Sequence, residues 1–112
     1  ELGDGVQCYG RPTVLGTGRV SLGPGGNLYA GVVLETEGKG AIRIGAHFVL
    51  NQGTHLSALA EITLGDHVLV GEYVSIQDND HEFHGAGVDQ GGGFQAAPIE
   101  VGDRVWIGRG AA

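Results

Sequence analysis

Five histidines, one cysteine and one tryptophan hold much of the chemistry open to this 112-residue chain. His81 is the leading candidate. It closes the run Asp78-Asn79-Asp80-His81 and precedes seventeen residues, Glu82 to Pro98, that include Gly85, Gly87 and Gly91-Gly92-Gly93. An imidazole with a pKa of about 6.5 is suited to removing a proton at neutral pH, so a histidine at the root of a long excursion reads as a general base. The plainer alternative is a solvated surface histidine in an acidic stretch. Loops longer than about 12 to 15 residues without structure of their own tend to be functional or disordered, and both readings stay open here. Phe83 and Phe94 flank the glycines and are placed to anchor the excursion on a neighbouring surface.

The other candidates are weaker. His84 lies three residues after His81, a sparse signal for a zinc site. His47 and His67 each follow an aliphatic residue (Ile44, Leu64) by three and are expected on the surface, and His55 adjoins a coil corner at Leu56. Cys8 has no internal partner for a disulfide, which fits a reducing cytoplasm, and reads as a core filler.

The elements that position these residues follow from a repeat. Four segments share an aliphatic-x-aliphatic-Gly signature: Val20-Ser21-Leu22-Gly23, Ile42-Arg43-Ile44-Gly45, Ile62-Thr63-Leu64-Gly65 and Ile99-Glu100-Val101-Gly102. From each, apolar residues return every six: Leu22, Leu28, Leu34; Ile44, Leu50, Leu56; Leu64, Val70, Ile76; Val101, Ile107. Leu2, Cys8 and Val14 make an earlier unit. Successive units start 20, 22, 20 and 37 residues apart, so the last spacing holds the excursion. A period of six fits neither a heptad helix nor a long alternating strand. Glycine at 23 of 112 residues further disfavours helix. Three short strands per turn, bent sharply at small residues, would instead stack into a triangular solenoid with the aliphatics inside. Val32, Thr54, Val68, Val74 and Val105, four after a hexad position, should also point inward. Trp106, between inward Val105 and Ile107, should then point outward by strand alternation.

Composition limits the alternatives. The formal charge of −7 is spread along the chain and its six basic residues form no patch, which argues against nucleic acid or an anionic membrane as partner. No apolar run approaches the ~18 residues needed to span a bilayer, and no charged-then-apolar leader opens the sequence. With no methionine and a start in mid-pattern, the chain is expected to be a fragment, a single solenoid domain over 1–112 with an excursion at 82–98.

Leu64-Gly65-Asp66 with Val70-Gly71, Asp78-Asn79-Asp80-His81, and Pro98-Ile99-Glu100-Val101-Gly102-Asp103-Arg104-Val105-Trp106-Ile107-Gly108 resemble the hexapeptide-repeat acyltransferases, close to the maltose and galactoside O-acetyltransferases and the polysaccharide O-acetyltransferases. The resemblance implies an all-β, left-handed parallel β-helix of about four and a half coils, truncated here, and a cytoplasmic homotrimer. Left-handed coils are an exception to the usual crossover rule. It also implies an acetyl-CoA-dependent O-acetyltransferase acting on a sugar or glycan hydroxyl, with no metal. Further coils would supply much of the coenzyme A groove. His81 takes the position of the catalytic base. Asn51 takes that of a residue contacting the acceptor sugar, although an edge asparagine can equally make a stacked amide ladder or satisfy a turn. Trp106 takes that of an aromatic lining the active site, and Phe83 is grouped with these substrate-binding residues. Two other classes share the architecture: a zinc protein like the γ-class carbonic anhydrases, with His81 and His84 as ligands, and a non-catalytic solenoid scaffold. The few threonines (13, 17, 36, 54, 63) make no flat repeating array of the ice-binding kind.

Overall fold

The computed structural model describes residues 3–80 and 95–109. These form fifteen short strands and no helix, so no helix among them is long and apolar enough to cross a membrane. Three parallel sheets make the walls of a β-solenoid. The first wall holds β3 (Val20–Leu22), β6 (Ala41–Ile44), β9 (Glu61–Leu64) and β14 (Ile99–Val101). The second holds β1 (Gln7–Cys8), β4 (Asn27–Leu28), β7 (Val49–Leu50), β10 (Leu69–Val70) and β15 (Trp106–Ile107). The third holds β2 (Thr13–Gly16), β5 (Val33–Thr36), β8 (His55–Ala58) and β11 (Ser75–Gln77). The chain visits the walls in turn, making one coil per circuit: a parallel β-helix.

The register reproduces the spacing read from the sequence. Asn27 pairs with Val49, Val49 with Leu69, and Leu69 with Trp106, which are steps of 22, 20 and 37 residues. Each coil is tied to the next by backbone bonds such as Asn27 N–H to the Phe48 carbonyl, Val49 N–H to that of Val68 and Leu69 N–H to that of Val105, all at 2.9 Å.

Because strand side chains alternate, each hexad position falls on the inner face. Leu28, Leu34, Ile42, Leu50, Leu56, Ile62, Leu64 and Val70 are fully buried, and Val32, Thr54, Val68 and Val74 join them. Phe48 is also buried, at an inward position whose counterpart one coil earlier is Gly26. A Cβ at Gly26 would overlap the Phe48 ring, so the absent side chain makes room for the large one. Packing density inside a narrow prism demands such compensation.

The end coils depart from the expected pattern. Cys8, read as a core filler, is exposed, and Val14 is 49% exposed. Both hold inward register positions, opposite Leu28 and Leu34. An inward side chain is covered only when coils stack on both sides of it, and among the described residues nothing stacks on the outer side of β1 and β2. The same reasoning explains why Val101 and Ile107, on the opposite end, are half-buried.

Candidate functional site

The long register step is built around an antiparallel ladder. After β11 the chain forms β12 (Asn79–Asp80), which pairs with β13 (Gln95–Ala96) in the register Asn79 to Ala96 and Asp80 to Gln95. The Ala97 N–H extends it by donating to the Asp78 carbonyl at 3.0 Å. The returning end of the 82–98 excursion is thus paired at 95–97. The pairing closes its two ends against each other, so β14 rejoins the first wall with Ile99 opposite Ile62.

Asp78 fixes the departing end. It is 6% exposed, and its two carboxylate oxygens accept from the Leu59 N–H at 2.7 Å and the Ala60 N–H at 2.8 Å, across the corner of the preceding coil. Its own N–H donates to the Ser57 carbonyl at 3.2 Å. Sequence reasoning took this residue only as part of the motif before His81, yet the signal for a bracing role was present. Two residues after Leu34 and Leu56 stand Thr36 and Ala58, both buried, and Asp78 is their counterpart after Ile76. A carboxylate at an inward corner position must find donors, and the corner amides supply them.

His81 follows this ladder directly in sequence, but His81, Phe83 and His84 lie outside the described residues. Asn51 does not. It sits at the corner between β7 and β8, where its Nδ2 donates to the Val70 carbonyl at 3.1 Å and its own carbonyl accepts from Thr54 Oγ1 at 2.8 Å. The side chain thus ties this corner to the next coil, while the turn itself is closed through the backbone carbonyl. That tie uses only half of the amide: Asn51 Oδ1 has no partner among the described residues, and no unpartnered side-chain oxygen or nitrogen is buried there. Oδ1 is accordingly free to accept from a bound hydroxyl.

Trp106 points outward as strand alternation requires and is 75% exposed. It stands beyond Leu69 and Val49 on the outer face of the second wall, two strand steps or roughly 10 Å from the Asn51 row. In the corner column beside these strands, Asn51 is followed by Gly71 and Gly108, and the next residues at that corner, Glu72 and Arg109, face each other at 3.9 Å. Asn51 and Trp106 therefore share one side of the prism and are separated by an apolar strip.

Part of this framework has a named relative. Over 74 residues the chain is 36% identical to Nodulation protein L of Rhizobium meliloti (strain 1021), a match that takes in 62% of this chain. The chain spans 38% of that protein's length. No protein-family model matches the sequence, and no solved structure matches it.

The remaining candidates fall away from this side. His47 and His67 are exposed as expected and stack on each other at 5.1 Å, both with φ of 58°. Their position is the left-handed one that Gly5 and Gly25 occupy in earlier coils. His55 Nε2 lies 3.3 Å from Glu35 Oε1 on the outer face of the third wall, a half-exposed pair. A shallow pocket on the first wall lies between Arg19, Ser21 and Arg43, with Arg43 held by Glu61 at 2.8 Å. Among the described residues no three His, Cys, Asp or Glu side chains come together as a metal site.

Proposed function

We propose that the chain is part of an acetyl-CoA-dependent O-acetyltransferase that modifies a sugar or glycan hydroxyl. The observation that carries this reading is the Asp78-to-Asp80 segment. A braced corner and a closed ladder lead straight into His81, at the one long break in an otherwise regular solenoid, on a motif that resembles the acetyltransferases. The relation to Nodulation protein L supports the same reading coarsely.

In this mechanism His81 takes the proton of the acceptor hydroxyl as its oxygen attacks the thioester carbonyl carbon. The C–O bond forms, the C–S bond breaks, and the coenzyme A thiolate leaves and recovers the proton from the imidazolium. No acyl-enzyme is formed. Asn51 stands at the β7–β8 corner, one wall away from the β8–β9 corner that Asp78 braces. It would orient the acceptor through Oδ1 at a site completed between neighbouring subunits, where Trp106 would line the acyl-donor groove and Phe83 would contact substrate from the excursion. Backbone N–H groups stabilise the oxyanion. A cytoplasmic homotrimer belongs to the same proposal, since an excursion flanked by Phe83 and Phe94 needs a surface to rest on.

The test is transfer of labelled acetyl from acetyl-CoA to a panel of sugars, with His81→Ala as the decisive variant. Transfer by the parent protein, and a loss of at least a hundredfold in kcat with an unchanged oligomeric state in the variant, is the expected result. Retained activity would remove His81 as the base. Stoichiometric zinc lost on replacing His81 or His84 would favour the anhydrase-like alternative.

A further inference from the structure

The corner column that contains Asn51 carries tyrosines in the two preceding coils. Tyr9 and Tyr29 stack with ring centroids 4.9 Å apart and an interplanar angle of 17°. Asn51 is the next member, since the Tyr29 N–H donates to the Leu50 carbonyl and the Asn51 N–H to that of Val70. Beside this column, on the outer face of the second wall, Gln7 and Asn27 are register partners. Tyr9 is 58% exposed and its hydroxyl donates to Gln7 Oε1 at 2.6 Å. The strip Gln7, Tyr9, Asn27, Tyr29, Asn51 thus presents amides and phenols in regular rows and no carboxylate or cation, in a chain with 13 acidic and 6 basic residues.

Phenol and amide groups without charge suit a neutral polyhydroxylated ligand. They offer donors and acceptors to hydroxyls, and the stacked Tyr9 and Tyr29 rings offer apolar edges to the C–H groups of a sugar. The rows are about 4.8 Å apart, the spacing of neighbouring strands and close to the length of one hexopyranose unit. From Asn51 to Tyr9 is two such steps.

We propose that this strip is a binding track for a neutral oligosaccharide acceptor, with the reacting sugar at Asn51 and the following units running along Tyr29 to Tyr9. The inference rests on the acetyltransferase reading and narrows its substrate from a sugar to a chain of about three units. The track sits at the opposite end of the Asn51 column from Trp106, so acceptor and acyl donor would approach from different ends.

The test titrates glucose and its α-1,4- and β-1,4-linked oligomers of two to five units into isotope-labelled protein, followed by amide NMR shifts. In at least one series, affinity should rise at least tenfold between one and three units and then level off, with shifts at Gln7, Tyr9, Asn27, Tyr29 and Asn51. Tyr29→Ala should weaken trisaccharide binding at least fivefold, and Asn27→Asp, which keeps the side chain's size, should also weaken it. Affinity independent of length in both series, or shifts confined to other walls, would overturn the track. Acetyl transfer to the same sugars is measured in parallel. Length-dependent binding without any transfer would sink the acetyltransferase reading but leave the binding strip. Transfer to glucose and trisaccharide with equal kcat/KM would sink the track but leave the enzyme.

Discussion

Replacing Asp78 by alanine should destabilise the solenoid by about 2 to 4 kcal/mol. The magnitude follows from two bonds, Leu59 N–H at 2.7 Å and Ala60 N–H at 2.8 Å, both to a carboxylate that is 6% exposed. Hydrogen bonds to charged groups contribute about 1.5 to 3 kcal/mol each, and a donor left without a partner in a buried site adds its desolvation penalty. Leu59 and Ala60 are themselves half-buried, so water can partly replace the lost carboxylate and hold the total below the sum of two full bonds. Asp78→Asn should lose about half as much, because an amide oxygen can accept from one corner N–H while its NH2 faces the other. The assay is urea unfolding of the three proteins, with ΔG taken by linear extrapolation. An alanine variant within about 0.5 kcal/mol of the parent, the scatter of an ordinary surface change, would refute the idea that this carboxylate braces the corner. On the acetyltransferase reading proposed above, the alanine variant should also lose transfer beyond its loss of folded protein, because the ladder leading to His81 starts at this residue.

Three further outcomes follow from the packing. Gly26→Ala should destabilise by about 1 to 3 kcal/mol through overlap with Phe48, and adding Phe48→Leu should recover part of that loss, measured as a double-mutant cycle with non-zero coupling. Gly53→Ala should be unfavourable on two counts, a φ of 75° and a Cβ that would meet the Tyr73 ring, and denaturant unfolding should show a loss of more than about 1 kcal/mol. Leu50→Ala, fully buried in a central coil, should destabilise by about 2 to 5 kcal/mol, whereas Val14→Ala, 49% exposed, should lose under about 1 kcal/mol by the same unfolding assay.

The walls were legible because a solenoid writes its geometry into the sequence locally. Each hexad residue repeats the same environment, so the run from Leu22 to Ile76 identifies the inner face and the spacings 20, 22 and 37 become the strand register. What the pattern hides is anything set by the neighbouring coil. Phe48 is understandable only together with Gly26, and Asp78 only together with the amides of Leu59 and Ala60, because those partners are 18 to 22 residues away and unrelated in type. Cys8 misleads for a related reason: its position in the repeat is inward, but burial depends on coils to both sides. Asn51 was legible as a corner residue, but its Nδ2 bonds the Val70 carbonyl of the next coil, a partner 19 residues away that no local pattern indicates.

A regular solenoid offers few places for catalysis, since each coil hides its chain against the next and shows only shallow outer faces. A concave, water-excluding site requires an interruption, and an interruption threatens the stack beyond it. The ladder of Asn79–Asp80 with Gln95–Ala96 resolves this conflict. It returns the chain to its point of departure, so that Ile99, Glu100 and Val101 pair with Ile62, Thr63 and Leu64 as though no residues intervened. The cost of a long closed loop grows only with the logarithm of its length, so fourteen residues between Asp80 and Gln95 add little once the ends are paired. Length and composition between Asp80 and Gln95 can therefore vary while the braced corner at Asp78 stays fixed. A variant with the excursion cut to a tight turn between Asp80 and Gln95 should thus keep the stability of the solenoid within about 1 kcal/mol, as measured by urea unfolding, and, on the proposed acetyltransferase reading, lose transfer altogether. A collapse of the coil containing β14 and β15 would show instead that the excursion holds up the stack.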